Sequence, residues 1–304
     1  MAFATNVVLA SAPTTESSHF IRYTEDPDGA ARLETAEVAY KNDAGVDVHL
    51  IGAIHIADAD YYSGLNESFE HYDALLYELV SSNEGADVPT SRPSGDRPLG
   101  WVGNLQRFMR DRLDLVFQLD AIDYKRPNFV HADLNLDQFL QMESQRGESM
   151  FTLMFRSTMQ NMAHSMKKGP DVSGFALLGA LMSPNQSREL KRVLAEQFAD
   201  SEDALDAMEG PNGSVIIGER NKAALRVMNQ QIKAGKKYIG IFYGAGHLRL
   251  MEKSLREMGF HKVGETWRTA WDIPAPDMPS TQPLLNQKSH EDKKERSEHE
   301  QMHK

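Results

Sequence analysis

Two strand-like apolar runs, Val46 to Ile54 and Tyr238 to Tyr243, each lead into a Gly-x-x-His turn: Gly52-Ala53-Ile54-His55 and Gly244-Ala245-Gly246-His247. Runs of this kind alternate along the chain with amphipathic helical patterns, which makes it an α/β chain. In an α/β sheet the loops at the carboxyl ends of strands gather ligands and catalytic groups, because the strand fixes their origin and the loop aims them. Glycine lets the backbone bend tightly or approach a ligand, and the histidine beyond it projects from a rigid element. Both turns are therefore expected at one active site.

The rest of the pattern supplies the frame. Leu33 to Tyr40 and Val46 to Ile54 are strands joined by Asn42-Asp43-Ala44-Gly45, which is hairpin chemistry. Asp60 to Tyr72 carries Tyr62, Leu65 and Phe69 at helical spacing, and Ala74 to Tyr77 reads as a buried strand ending at Glu78. Ser81 to Gly100, rich in Ser, Gly, Pro and Asp, is a loop. Helical patterns follow over Trp101 to Leu119, Asp137 to Met142, Met150 to Met166, and from Ser183-Pro184 to Met208 with a break near Asp200, so 101–208 is a helical insertion. The short apolar run Val215 to Ile217 precedes Glu219-Arg220-Asn221, which opens an amphipathic helix through Ile232 that stops at Ala234-Gly235-Lys236. A helix from Leu248 to Met258, closed by Gly259, and a strand from His261 to Trp271 complete one domain over 18–273. The polar leader 1–17 is expected to be flexible. The tail 274–304, proline-dense and then almost wholly charged or polar, cannot offset its own ordering entropy and is expected to be disordered.

Composition narrows the chemistry. A formal net charge of −11 repels phosphate backbones, so nucleic acid is excluded as a partner. No run approaches the ~20 apolar residues that span a bilayer, so no integral membrane segment is expected. The start of the chain lacks a basic region, and its apolar residues are broken by Thr5 and Asn6. The chain reads as soluble, and either cytoplasmic or exported with its signal trimmed.

Cysteine is absent, which removes thiolate nucleophiles and cysteine-based zinc sites and leaves His and carboxylates as strong metal ligands. His55, His247 and Glu78, all at strand ends, meet the need of a three-ligand site, for which manganese, cobalt and zinc are chemically acceptable. Glu219 is a fourth ligand or a general base, or else forms with Arg220 an ordinary helix-entry pair. Arg220 is suited to a substrate carboxylate or a developing oxyanion. His131 and Asp133, two apart on a strand, share a face; with Gly52, Gly244, Gly246 and Asn221 they are assigned to substrate contacts or to the support of the ligands.

Leu50-Ile51-Gly52-Ala53-Ile54-His55, Tyr77-Glu78, Gly218-Glu219-Arg220-Asn221 and Tyr243-Gly244-Ala245-Gly246-His247-Leu248 together resemble the TraB/TIKI/PrgY family, over roughly Val46 to Gly264. The wider group includes erythromycin esterase, ChaN-like haem-binding proteins and a domain of a Pasteurella toxin. The resemblance implies a mixed central sheet flanked by helices. It also implies that His55, His247 and Glu78 are metal-associated and that Glu219 and Arg220 form a Glu-Arg motif. The function it implies is that of a metal-dependent hydrolase, a TIKI-like metallopeptidase acting on a peptide or protein substrate through a metal-activated water, with Glu219 accepting the proton. The competing class is a binding protein for a peptide pheromone or for haem, with the histidines as axial ligands. Relatives carry membrane-spanning segments that are not read in this sequence, and the helical middle matches no family motif.

Overall fold

The computed structural model describes residues 18–80, 112–142 save 136 and 140, 179–208 save 181 and 184, and 215–276. The predicted loop over Ser81 to Gly100, the Met150 to Met166 pattern, the leader and nearly all of the tail lie outside the described residues.

The hairpin pattern is realised as β2 (Ala31–Lys41) and β3 (Asp47–Ala53), preceded by β1 (Ile21–Glu25). Gly45 turns the hairpin with φ +73°, a conformation that side chains rarely adopt. After β4 (Ile56–Ala57) comes α1 (Ala59–Phe69), whose buried residues Tyr61, Tyr62, Leu65 and Phe69 are the helical stripe seen in the sequence. The buried strand is β5 (Ala74–Tyr77); β6 (Val116–Phe117), α2 (Gln118–Ala121) and β7 (Phe129–His131) follow. Then come α3 (Gln186–Met208), a π-helical turn over Val215–Glu219, α4 (Arg220–Lys233), β8 (Tyr238–Gly244), α5 (Leu248–Glu257) and β9 (His261–Ile273).

Two expectations change. The helix α3 runs unbroken past Asp200. The end of the predicted Trp101–Leu119 helix is instead partly extended, because Val116 and Phe117 pair with Ala57 and Ile56. The apolar run Val215 to Ile217 forms part of the π-helical turn that ends at Glu219 itself.

The sheet is mixed, as its order β1-β2-β3-β8-β5-β7 shows, with β9 also pairing β2. Strands β3, β8, β5 and β7 are mutually parallel, so their carboxyl ends lie along one edge. The antiparallel β2 has β9 along its whole length, while β1 pairs with Ala31–Thr35 and β3 with Glu37–Lys41. Since a strand offers two edges, β1 and β3 share one of them end to end. On one face Phe69 of α1 packs on Phe242 and Phe129, with ring centroids 4.9 and 5.8 Å away. On the other, Glu252 of α5 acts electrostatically on Tyr40 of β2, and α4 packs beside α5. Trp271, Tyr40, Phe69 and Phe242 are among the largest fully buried side chains, each stabilising the fold by about 2–3 kcal/mol through removal from water. No helix among the described residues is long and apolar enough to cross a membrane.

Gly52 lies where β1 and β3 meet. A Cβ there would come within 3.1 Å of the Phe20 carbonyl oxygen and 3.2 Å of that of Ala36. The first glycine of the Gly-x-x-His turn thus answers to a backbone crowding within the sheet. Gly52→Ala is expected to lower stability by about 1–3 kcal/mol, whereas Gly264→Ala, whose Cβ would meet nothing within 4 Å, should be neutral or slightly stabilising. Urea unfolding of the two variants checks this; equal midpoints would contradict the crowding argument.

Candidate active site

Four of the candidate side chains follow the four parallel strands in their spatial order: His55 after β3, His247 after β8, Glu78 after β5 and Asp133 after β7. Arg220, the first residue of α4, reaches between the last two. Its Nε donates to Asp133 Oδ1 at 2.9 Å and its Nη2 to Asp133 Oδ2 at 2.6 Å, a bidentate fork, and Nη2 also meets Glu78 Oε1 at 2.6 Å. The side chains are 0% (Asp133), 9% (Glu78) and 12% (Arg220) exposed, so these charges act in a low-dielectric setting. Burial works against the Arg220 charge, but the Asp133 hydrogen bonds and the Glu78 charge hold its pKa above the usual range.

Glu78 is fixed at both oxygens, since Oε2 accepts the Gly244 N–H at 2.7 Å. A Cβ on Gly244 would stand 3.3 Å from that oxygen, so the glycine clears the space for the carboxylate. Burial would raise the Glu78 pKa, yet the charges of His247 and Arg220 and the Gly244 hydrogen bond bring it down to about 2. Glu78 is therefore an anion at any working pH.

His247 is buried in a 3₁₀ turn over Ala245–His247, which also holds the half-buried Gly246. Asn221 Nδ2 donates to the His247 carbonyl at 3.0 Å, and Asn221 Oδ1 stands 2.7 Å from His247 Nδ1. The ring thus donates from Nδ1 and turns Nε2 toward Glu78 Oε1, 3.6 Å away. Burial pushes its pKa down, so near neutral pH Nε2 bears a lone pair. Two acceptors then face each other, and two carboxylates against one guanidinium leave the cluster one negative charge in excess. That arrangement suits a cation. Two ligands each ~2.1 Å from a tetrahedral ion stand about 3.4 Å apart, close to what is observed.

His55 is exposed, near enough for its charge to act on Glu78 and His247. Its Nδ1 lies 3.0 Å from Gln118 Oε1, and the Gln118 N–H donates to the His55 carbonyl at 3.0 Å. Gln118 Nε2 in turn donates to Tyr124 OH at 2.8 Å. Both histidines therefore set Nδ1 against a side-chain amide oxygen, an acceptor that can hold the ring as a carboxylate or carbonyl does behind a ligating imidazole. Among the described residues no three His, Asp or Glu side chains are gathered tightly enough to hold an ion as they stand. The donor chemistry fits a divalent cation, with Glu78 and His247 adjoining and His55 to one side.

Glu219 and His131 have partners outside this cluster. The Glu219 carboxylate meets Lys222 Nζ at 3.0 Å. Strand β7 ends at His131, which donates from Nε2 to the Leu79 carbonyl at 2.6 Å and packs edge-on against Tyr77, while Asp133 lies beyond the strand with Arg220. Gln118 and Tyr124 were not singled out in the sequence. The polar Gln118 between Phe117 and Leu119 is a weak signal, since an exposed helix face would carry the same residue. No family model, no curated protein and no solved structure matches the chain.

Two outcomes follow from this geometry. Arg220→Met strands two buried carboxylates and is expected to lose about 3–5 kcal/mol; a change below 1 kcal/mol in urea unfolding would show the ion cluster to be marginal. His247 and Glu78 both have lowered folded pKa values, so each contributes stability that is full above its unfolded pKa, 6.5 and 4.5 respectively, and lost as the pH falls. With chelator present, stability should decline from pH 7 downward, first through His247 and then through Glu78 toward pH of about 2. Glu78→Gln should flatten the lower part of that profile, and a variant profile parallel to wild type would refute the assignment.

Proposed function

We propose that the chain is a metal-dependent hydrolase, and that its substrate is a peptide or protein, as its resemblance to TIKI-like metallopeptidases implies. The observation that carries the reading is the His247 Nε2 lone pair set 3.6 Å from Glu78 Oε1 inside a cluster with excess negative charge. In this reading His55, Glu78 and His247 hold the ion, for which manganese, cobalt and zinc are all chemically acceptable. Bound there, a divalent ion supplies Lewis acidity toward water and toward a scissile carbonyl.

The chain's own groups take the following parts. Glu78, with its pKa near 2, serves as an anionic ligand and is too weak a base to take a proton at neutral pH. Arg220 holds Glu78 in place through Nη2 while anchored on Asp133. Asn221 orients His247. Glu219 takes the proton from water, exchanging its present Lys222 partner to do so. The leaving amine receives that proton as the carbonyl carbon–nitrogen bond breaks.

Metal analysis of the wild type beside His55→Ala and His247→Ala, joined to cleavage of a peptide library, tests the proposal. Bound metal is expected in the wild type and reduced at least about 10-fold in both variants, as loss of a ligand exceeds the effect of losing its support. Chelation should abolish cleavage and added metal restore it. Full occupancy in both variants would overturn the shared site. A Soret band from haem-replete cells would point to the binding class instead, and Glu219→Gln at wild-type turnover would remove the assigned base.

A further inference from the structure

We infer that Gln118 is a positioning residue that fixes the tautomer of His55, so that both Gly-x-x-His histidines present an unprotonated Nε2, able to accept a hydrogen bond or ligate a cation. This rests on the metal-site reading only for its consequence; the tautomer itself is independent of it.

The His247 half follows from hydrogen-bond inventory. Its backbone carbonyl can only accept, so the Asn221 group 3.0 Å from it is the amide NH2, and the Asn221 oxygen 2.7 Å from Nδ1 must be accepting. Nδ1 carries the proton. At His55 the same part is played from 63 positions away by Gln118. The pairing of Ile56 with Phe117 brings the two residues together, since His55 precedes one and Gln118 follows the other. Gln118 is buried and bonded three ways: N–H to the His55 carbonyl, Oε1 to His55 Nδ1, and Nε2 to Tyr124 OH. Rotation of the His55 ring would leave the buried Gln118 Oε1 without the partner it has here.

Tyr124 holds the far end of the amide. It is buried, with Tyr77 and Phe129 rings 5.1 and 5.8 Å from its own. A phenol both donates and accepts, so a reversed amide would satisfy Tyr124 equally and force the opposite tautomer on His55. The orientation found here, with the oxygen toward Nδ1, matches that of Asn221 at His247. Two elements far apart in the chain thereby impose one arrangement on two equivalent turns.

Long-range proton–nitrogen correlation on the 15N-labelled full chain, with chelator at about pH 8 where ordinary imidazoles are neutral, reads each tautomer directly. Nδ1–H is expected at both His55 and His247. In Gln118→Leu, His55 should lose that preference while His247 keeps it; Gln118→Glu, which retains an acceptor, should behave as wild type. With manganese or zinc added, Gln118→Leu should bind about 10–100-fold more weakly and Gln118→Glu close to normally. An Nε2–H signal for His55 in the wild type overturns the inference whatever the variants do, as does an unchanged His55 signal in folded Gln118→Leu. A wild type with Nδ1–H at His55 and no metal binding leaves the tautomer inference standing and removes the proposed function.

Discussion

The guanidinium of Arg220 ties three parts of the chain into one edge. It joins the start of α4 to the carboxyl ends of β5 and β7 through Glu78 and Asp133, and Glu78 continues the tie to β8 through the Gly244 N–H. Removing these charges from water is costly, and the cluster persists because each carboxylate is met by several donors in good geometry. Stability alone would be served as well by apolar residues. What the charges add is direction: Glu78 cannot turn away from His247 without breaking bonds at both of its oxygens.

The two histidines differ in setting although their turns read alike. His247 is enclosed, with Tyr243 edge-on at 5.4 Å and Asn221 behind it. His55 is exposed at the rim and held mainly from one side. One imidazole is thus walled in beside the carboxylate and the other is open to solvent.

Much of the frame was legible because local pattern and burial agree there. The hairpin turn, the Ala74–Tyr77 strand and the helix closed by Gly259 each combine apolar periodicity with a residue that stops it, and Gly259 does adopt φ +86°. The strand β1 escaped notice because Arg22, Thr24 and Glu25 face outward or half outward and leave no apolar run. Within the site, the residue types were legible and their pairings were not. Asp133 was expected beside His131 by its spacing, but its partner is Arg220, 87 positions away. Gln118 gave only a weak signal, since its place beside His55 comes from a two-residue strand pairing that no periodicity announces.

The strand order carries a consequence for biosynthesis. Strand β8 lies between β3 and β5, although it is made long after both. Until Tyr238–Gly244 leaves the ribosome, β3 and β5 have no common neighbour, and their inner edges stay open to any other extended chain. Assembly of the sheet is therefore governed by distant contacts, which slow folding and prolong the exposure of sticky edges. His55, Glu78 and His247 are therefore brought to one edge only when β8 enters the sheet between β3 and β5.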